Sequence, residues 1–332
     1  MWKRRQLTFK DTSYLIIIII LFTTVLYLKC TEIREKLPCS LAFPLVQLHL
    51  AGQPVPELLP RELPIWMVET SGRVKLTGRE LCALESAALH NPNQIIYFLL
   101  TNPRLEDLPW NLEYPNIHFR YLHLDNFFHE TPLGNIWKSG QLRSSNWPVS
   151  HLSDLVRYLL LYEYGGTYLD TDVISLRNLP NFTNFAGIEY SKTGTIGAGA
   201  LRFYKQHPVI QNIVHRLEKE YDGTNWGWNG PGILTQVLKD TCRLQDISWP
   251  ETCSGIQILK QEVFYAVNWR EEENIQVDMY FHGERGDLEK RLRSSIATHI
   301  WGKKTSSRNL TEESPLYRVM QENCPFSSKL LL

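Results

Sequence analysis

The period of the apolar positions changes several times along the chain. Residues 12–28 form one uncharged run, with YLIIIIILFTTVLYL at 14–28. As a helix at 1.5 Å per residue this run reaches roughly 25 Å, the short end of a membrane span. PIWMVE (64–69) and QIIYFLL (94–100) are short apolar runs rich in β-branched and aromatic residues, which predict strands. Between them GRELCALESAALH (78–90) has helical spacing, with Leu81, Leu84 and Ala88 on one face. NIHFRYLHL (116–124) alternates as a strand does. This strand–helix–strand–strand order predicts an α/β domain with a mostly parallel central sheet.

The clearest helix is predicted over Ser150 to Tyr164. Leu152, Leu155, Val156, Leu159 and Leu160 form its stripe, with Ser150 or Ser153 as cap. Gly165 and Gly166 should stop it by accepting the left-handed conformation. Asp154 and Arg157, at i and i+3, fall on its less apolar face. TYLDTDVISL (167–176) follows at once, an apolar strand interrupted by Asp170 and Asp172.

The flanks of the first run orient it. Lys3, Arg4, Arg5 and Lys10 precede it and only Lys29 follows closely, so the N-terminal side is expected to be cytoplasmic. The run is longer than the apolar region of a cleaved signal peptide and ends without a small-x-small site. The expected layout is therefore a tail (1–11), a transmembrane anchor (12–28), a stem (29–62) and a lumenal domain (63–328). Pro38, Pro44, Pro54, Pro56, Pro60 and Pro64 make the stem extended. In the lumen two sequons become usable, at Asn181 and Asn309. Cys39, Cys82, Cys242, Cys253 and Cys324 can form disulfides there, and Cys242 is close enough to Cys253 to pair across a short loop. The 35 basic and 35 acidic residues balance, which argues against a nucleic-acid partner. Oligomeric state leaves no mark in the sequence.

Carboxylates in an apolar strand need a cation or several donors. Residues i and i+2 of a strand share a face, so Asp170 and Asp172 would point the same way. Two hard oxygen ligands on one side suit Mg²⁺ or Mn²⁺ held together with substrate phosphates.

The segment SDLVRYLLLYEYGGTYLDTDV (153–173) resembles the signature of retaining glycosyltransferases of the GT-A fold. It is similar to the sugar-transferase group with a DXD motif, which includes α1,4-galactosyl- and α1,4-N-acetylglucosaminyl-transferases. WGWNGPGILTQVLK (226–239), ATHIWGKK (297–304) and PIWMVETSG (64–72) resemble further segments of that group, in order. The resemblance implies a GT-A nucleotide-sugar domain behind a type II Golgi membrane anchor. It implies retaining transfer of a hexose from a UDP-sugar, UDP-galactose favoured, to a terminal galactose of a glycosphingolipid such as lactosylceramide, through an α1,4 bond. N-acetylglucosamine or N-acetylgalactosamine transfer, to glycolipid or glycoprotein glycans, is the alternative.

The same resemblance assigns roles. Asp172 would bind Mn²⁺ (or Mg²⁺), with Asp170 on the ion or the ribose and His299 on the ion or the diphosphate. Asp154 and Arg157 would hold donor-sugar hydroxyls. Glu69 and Thr70 would contact uridine or ribose, and Lys303 the diphosphate. Trp226, Trp228, Asn229 and Gly230 would form an acceptor loop. Gly197 and Gly199, in TIGAGALRF, are read from the segment itself as letting backbone approach the donor, with a strand bulge as the alternative. Tyr114 stands where the group leads one to expect a cysteine, which leaves Cys82 without its expected partner. Two other readings of the motif are open. Aspartate-nucleophile phosphatases use D-x-D-x-[TV], but Ile174 occupies the last position and an α/β segment precedes the motif. An inactive sugar-binding scaffold would be marked by a broken D-x-D or a lost His299.

Overall fold

The computed structural model describes residues 63–104, 114–270 and 275–332. The expected tail, anchor and stem lie outside these residues, as does Cys39. Among the described residues no helix is long and apolar enough to cross a membrane.

Four strands build the first half of the sheet. They are β1 (Ile65–Glu69), β2 (Ile96–Leu100), β3 (Ile117–Tyr121) and β4 (Gly166–Leu169). All three pairings among them are parallel. The second half holds β6 (Phe185–Tyr190), β7 (Thr195–Phe203), β8 (Thr252–Cys253) and β9 (Ile256–Leu259). The order is β3-β2-β1-β4-β7-β6-β9-β8, with β7 antiparallel to both β4 and β6 and β8 antiparallel to β9. The α/β class and the mostly parallel sheet are thus as expected.

Helix α1 (Gly78–His90) has the bounds that the spacing predicts. A capping box starts it: Thr77 Oγ1 accepts from the Glu80 amide, and the Glu80 carboxylate accepts from the Thr77 amide at 2.7 Å. Helix α2 (Pro148–Glu163) begins two residues earlier than predicted, and neither Ser150 nor Ser153 caps it. Proline at the first position serves instead, since its fixed φ suits the first turn and it has no amide to satisfy. Gly165 and Gly166 do end it, at φ +67° and +108°. A Cβ at Gly166 would lie 2.6 Å from the Pro64 carbonyl, so close backbone approach also requires glycine there.

Leu155, Val156, Leu159 and Leu160 are fully buried, each worth roughly 1.5–3 kcal/mol relative to exposure. They share a core with helices α3 (Pro208–Glu220) and α4 (Ile233–Cys242) against one face of the sheet.

Helix α1 is joined to the C-terminal segment. Cys82 bonds to Cys324, and Glu85, fully buried, accepts from the Phe326 and Ser327 amides at 3.0 and 2.7 Å. Tyr114 donates its hydroxyl to the same carboxylate at 2.9 Å. The expectation that Cys82 lacks a partner is therefore corrected. The partner lies 242 residues away, and Tyr114 meets Glu85 instead. Cys242 and Cys253 pair as their spacing suggests. Because the Cys82–Cys324 bond closes so long a loop, Cys82→Ser should cost about 2–5 kcal/mol. A clear drop in the denaturation midpoint is the expected readout.

Candidate active site

The D-x-D segment is not one strand. β4 ends at Leu169, and β5 (Val173–Ser175) belongs to a separate two-stranded sheet with β10 (Ala297–His299). Asp170 and Asp172 sit on the turn between, closed by the Val173 amide donating to the Asp170 carbonyl at 3.1 Å. Alternation along a strand is therefore not what aligns the carboxylates. The antiparallel register sets Val173 opposite His299 and so delivers the imidazole to the turn. Carboxylate oxygens of Asp170 and Asp172 and a ring nitrogen of His299 all lie within 4.8 Å of one another.

Each carboxylate is anchored. Asp172 accepts from the Gly302 amide at 2.7 Å, and Asp170 accepts from Tyr168 Oη at 2.9 Å and Arg157 Nη2 at 2.8 Å. Through its other nitrogen Arg157 reaches Asp154 at 2.6 Å. Asp154 and Arg157 are 6% and 5% exposed, so this is no surface ion pair. Packing reinforces it, since a Cβ at Gly230 would lie 2.4 Å from Asp154 Oδ1.

Charge follows from these contacts. Burial pushes the Asp154 carboxyl up to about 7, against the pull of Arg157. Burial acts the same way on Asp170, but Arg157, His299 and Tyr168 outweigh it and bring the group down to about 2. Burial raises Asp172, with His299 opposing and Asp170 reinforcing. For His299 burial favours the neutral ring, yet Asp172 and Asp170 turn the balance toward the protonated form.

The cluster opens on a cavity of about 700 Å³. Glu69, Thr70, Asp154, Arg157, Trp226 and Lys303 all line it, together with the two aspartates and His299. Lys303 lies over the Trp226 ring at 4.5 Å, and Lys304 over Trp269 at 4.7 Å.

Two family models match. An α1,4-glycosyltransferase conserved region covers residues 202–331, and a glycosyltransferase sugar-binding region containing a DXD motif covers 77–190. The chain is 31% identical over 277 residues to lactosylceramide 4-alpha-galactosyltransferase of Mus musculus, covering 80% of this chain and 76% of that one. This chain belongs to the α1,4-glycosyltransferase family. It is also 29% identical over 284 residues to alpha-1,4-N-acetylglucosaminyltransferase of Homo sapiens, covering 80% and 78%. Among solved structures it is similar to the galactosyltransferase LgtC in complex with donor and acceptor sugar analogs. That likeness has 13% identity and a TM-score of 0.42, over 81% of this chain and 97% of that one. The protein is a glycosyltransferase enzyme.

Within this glycosyltransferase several expected site residues serve the scaffold. The Glu69 carboxylate accepts from the Ser71 and Gly72 amides at 2.7 and 3.0 Å, so it shapes the loop after β1. Thr70 donates its hydroxyl to the Val149 carbonyl at 3.1 Å. Trp228, Asn229 and Gly230 do not line the cavity. They lie in a π-helical turn, Trp228–Gly232, where the Trp228 ring nitrogen donates to the Glu220 carbonyl. Asn229, fully buried, ties that turn to Asp222, and Gly230 offers its carbonyl to Tyr158. Gly197 makes room for Tyr265, with 2.4 Å from a Cβ to the ring. Gly199 makes room for the cluster: a Cβ would stand 2.8 Å from Asp170 Oδ2 and 2.9 Å from His299 Cδ2. Asn181 and Asn309 are both exposed.

Glu189, Tyr265 and Trp269 are among the cavity residues that the sequence did not single out. Glu189 carried a usable signal, an acid inside the apolar run FAGIEY (185–190). The two aromatics lie in irregular chain with no period to single them out.

Gly199→Ala gives a local test. The part-buried Asp170 and the buried His299 cannot both move aside, so transfer should fall by roughly 5- to 100-fold, a cost of about 1–3 kcal/mol for overpacking. Apparent affinity for Mn²⁺ should weaken in the same assay.

Proposed function

We propose that this glycosyltransferase moves galactose from UDP-galactose to the terminal galactose of a glycosphingolipid such as lactosylceramide, retaining configuration and forming an α1,4 bond. The observation that carries the donor class is the meeting of Asp170, Asp172 and His299 at a cavity beside the Asp154–Arg157 pair. Similarity to the lactosylceramide enzyme supports galactose and a glycolipid acceptor. The nearly equal similarity to the N-acetylglucosaminyl enzyme supports a second reading, in which the donor is UDP-N-acetylglucosamine.

The donor set suits a hard divalent cation. Two carboxylates and an imidazole accept Mn²⁺, and Gly199 leaves the space clear that a side chain would fill. The Trp301 amide donates to His299 Nδ1 at 3.1 Å, so coordination through Nε2 requires that contact to loosen. When bound, the ion supplies neutralisation of the diphosphate charge as the leaving group separates.

The chain's own groups do the rest. Arg157 holds Asp154 and Asp170 in fixed directions, so their free oxygens are ready for sugar or ribose hydroxyls without reorganisation. Lys303, on the rim over Trp226, provides positive charge for phosphate oxygens. Trp226, part-exposed and edge-on to Trp269 at 6.2 Å, offers a face for the acceptor sugar. An anchor at 12–28 would put this domain in the Golgi lumen, where the exposed Asn181 and Asn309 can carry glycans.

A donor screen tests the reading. With lactosylceramide and Mn²⁺, transfer is expected from UDP-galactose in preference to UDP-N-acetylglucosamine and UDP-N-acetylgalactosamine. Preference for an acetamido sugar would replace the galactose reading by the second one.

A further inference from the structure

The carboxylates lining the cavity differ in what satisfies them. Glu69 is held by two amides and Ser71, and Glu80 by its capping box. Asp154 and Asp170 share Arg157, and Asp172 has the Gly302 amide. Glu189 has none of this. It is 6% exposed, and its charged partner among the described residues is Arg270, at 3.4 Å. That distance is too long for a strong hydrogen bond. A buried carboxylate held by one loose ion pair is costly unless something else donates to it.

Its position is built. Along β6, Ile188 pairs with Ile196 and Tyr190 with Thr195, so Glu189 is the extra residue of a β-bulge. Bulges re-aim a side chain and recur beside active sites. The Asn268 side chain pins the bulge by donating to the Glu189 carbonyl. Arg270, two residues on, stacks over Trp269 at 5.1 Å with its guanidinium 3.4 Å from the Glu189 carboxylate. The carboxylate thereby enters the same cavity as Asp170 and His299.

We propose that Glu189 is a sugar-contact residue: its carboxylate accepts hydrogen bonds from hydroxyls of the hexose being transferred. Hexose hydroxyls are the donors this buried group lacks, and a nucleotide sugar brings several of them. This rests on the nucleotide-sugar reading above, and it adds a third carboxylate on a wall not formed by the D-x-D turn or by α2.

The test compares UDP with UDP-galactose by calorimetric titration in Mn²⁺, for the wild-type protein, Glu189→Ala and Glu189→Gln. In Glu189→Ala, UDP should bind as in wild type, while UDP-galactose should bind on the order of 10- to 100-fold more weakly, the effect of hydrogen bonds to a charged group. Glu189→Gln keeps one acceptor oxygen and should recover part of that loss. Equal weakening of UDP and UDP-galactose in both variants would overturn the proposal, since it would place Glu189 at the nucleotide end. Unchanged binding of both ligands would overturn it too, as would a loss seen only together with loss of the folded transition. Wild-type protein that binds UDP but gains nothing from the hexose would also sink it while leaving the nucleotide site intact. Wild-type protein that binds no UDP would instead remove the donor reading itself, and this proposal with it.

Discussion

Asp172→Ala is expected to lower sugar transfer by about 10³-fold or more while the domain still folds. A bound divalent ion supplies several kcal/mol of charge stabilisation, and each ~1.4 kcal/mol is a factor of ten. Stability should change little. Asp172 is a carboxylate whose burial already opposes its ionised form; its loss removes a hydrogen bond from the Gly302 amide, worth about 1 kcal/mol net, and the 3.3 Å contact with His299, which can then stay neutral as its burial favours. Wild-type protein treated with a chelator should lose transfer in the same way and regain it with Mn²⁺, whereas the variant should not. Turnover by Asp172→Ala at the wild-type rate would falsify the metal assignment.

What the sequence makes legible here is whatever depends on periodicity and glycine. The stripe of Leu81, Leu84 and Ala88 fixes α1 to the residue, and Gly165 and Gly166 fix the end of α2. The start of α2 was harder. Serine side chains compete for the cap in any reading of this segment, and Pro148 settles the matter by conformation alone. The D-x-D segment shows how the right residues can be reached by the wrong geometry. TYLDTDVISL reads as one strand because its apolar residues flank the acids, yet a turn breaks it, and the long-range pairing of β5 with β10 completes the cluster. No local pattern encodes that pairing. Cys82 is the same lesson at greater distance, for its partner is set by how the C-terminal segment folds back over α1.

The loop after Asn225 divides between cavity and scaffold, with Trp226 on the cavity. Trp228, Asn229 and Gly230 stand in a matched motif, yet the structure uses them to pack a π-helical turn against Asp154 and Asp222. A motif residue can support a site without facing it. Glu189 is the complement: it belongs to no motif named above, and its place in the cavity follows from a bulge that periodicity does not reveal.

Arg157→Ala should have the second large effect, on stability as well as transfer. Its guanidinium bridges two acids, the buried Asp154 at 2.6 Å and the part-buried Asp170 at 2.8 Å. Removing one partner of a buried pair costs about 3–5 kcal/mol, because a desolvated charge is left behind. A small offset comes from Arg157 Nε, which is buried without a partner and disappears too. Arg157→Lys should recover little, since a single ammonium cannot fork to both carboxylates.

The stability deficit should also depend on pH, and the sign is fixed. Asp154 already sits up at about 7 with Arg157 present. Without the guanidinium its folded-state pKa rises further, while in the unfolded chain it stays near about 4. The folded variant then keeps a proton that the unfolded chain has released, so stability is retained at acid pH and lost as pH rises through the folded value. Thermal melts of wild type and Arg157→Ala at pH 5 and pH 8 should show the larger gap at pH 8. Adding Asp154→Asn should narrow that gap by removing the stranded charge, without restoring transfer. A gap independent of pH would mean that Arg157 contributes packing alone, and the electrostatic account of the pair would have to be given up.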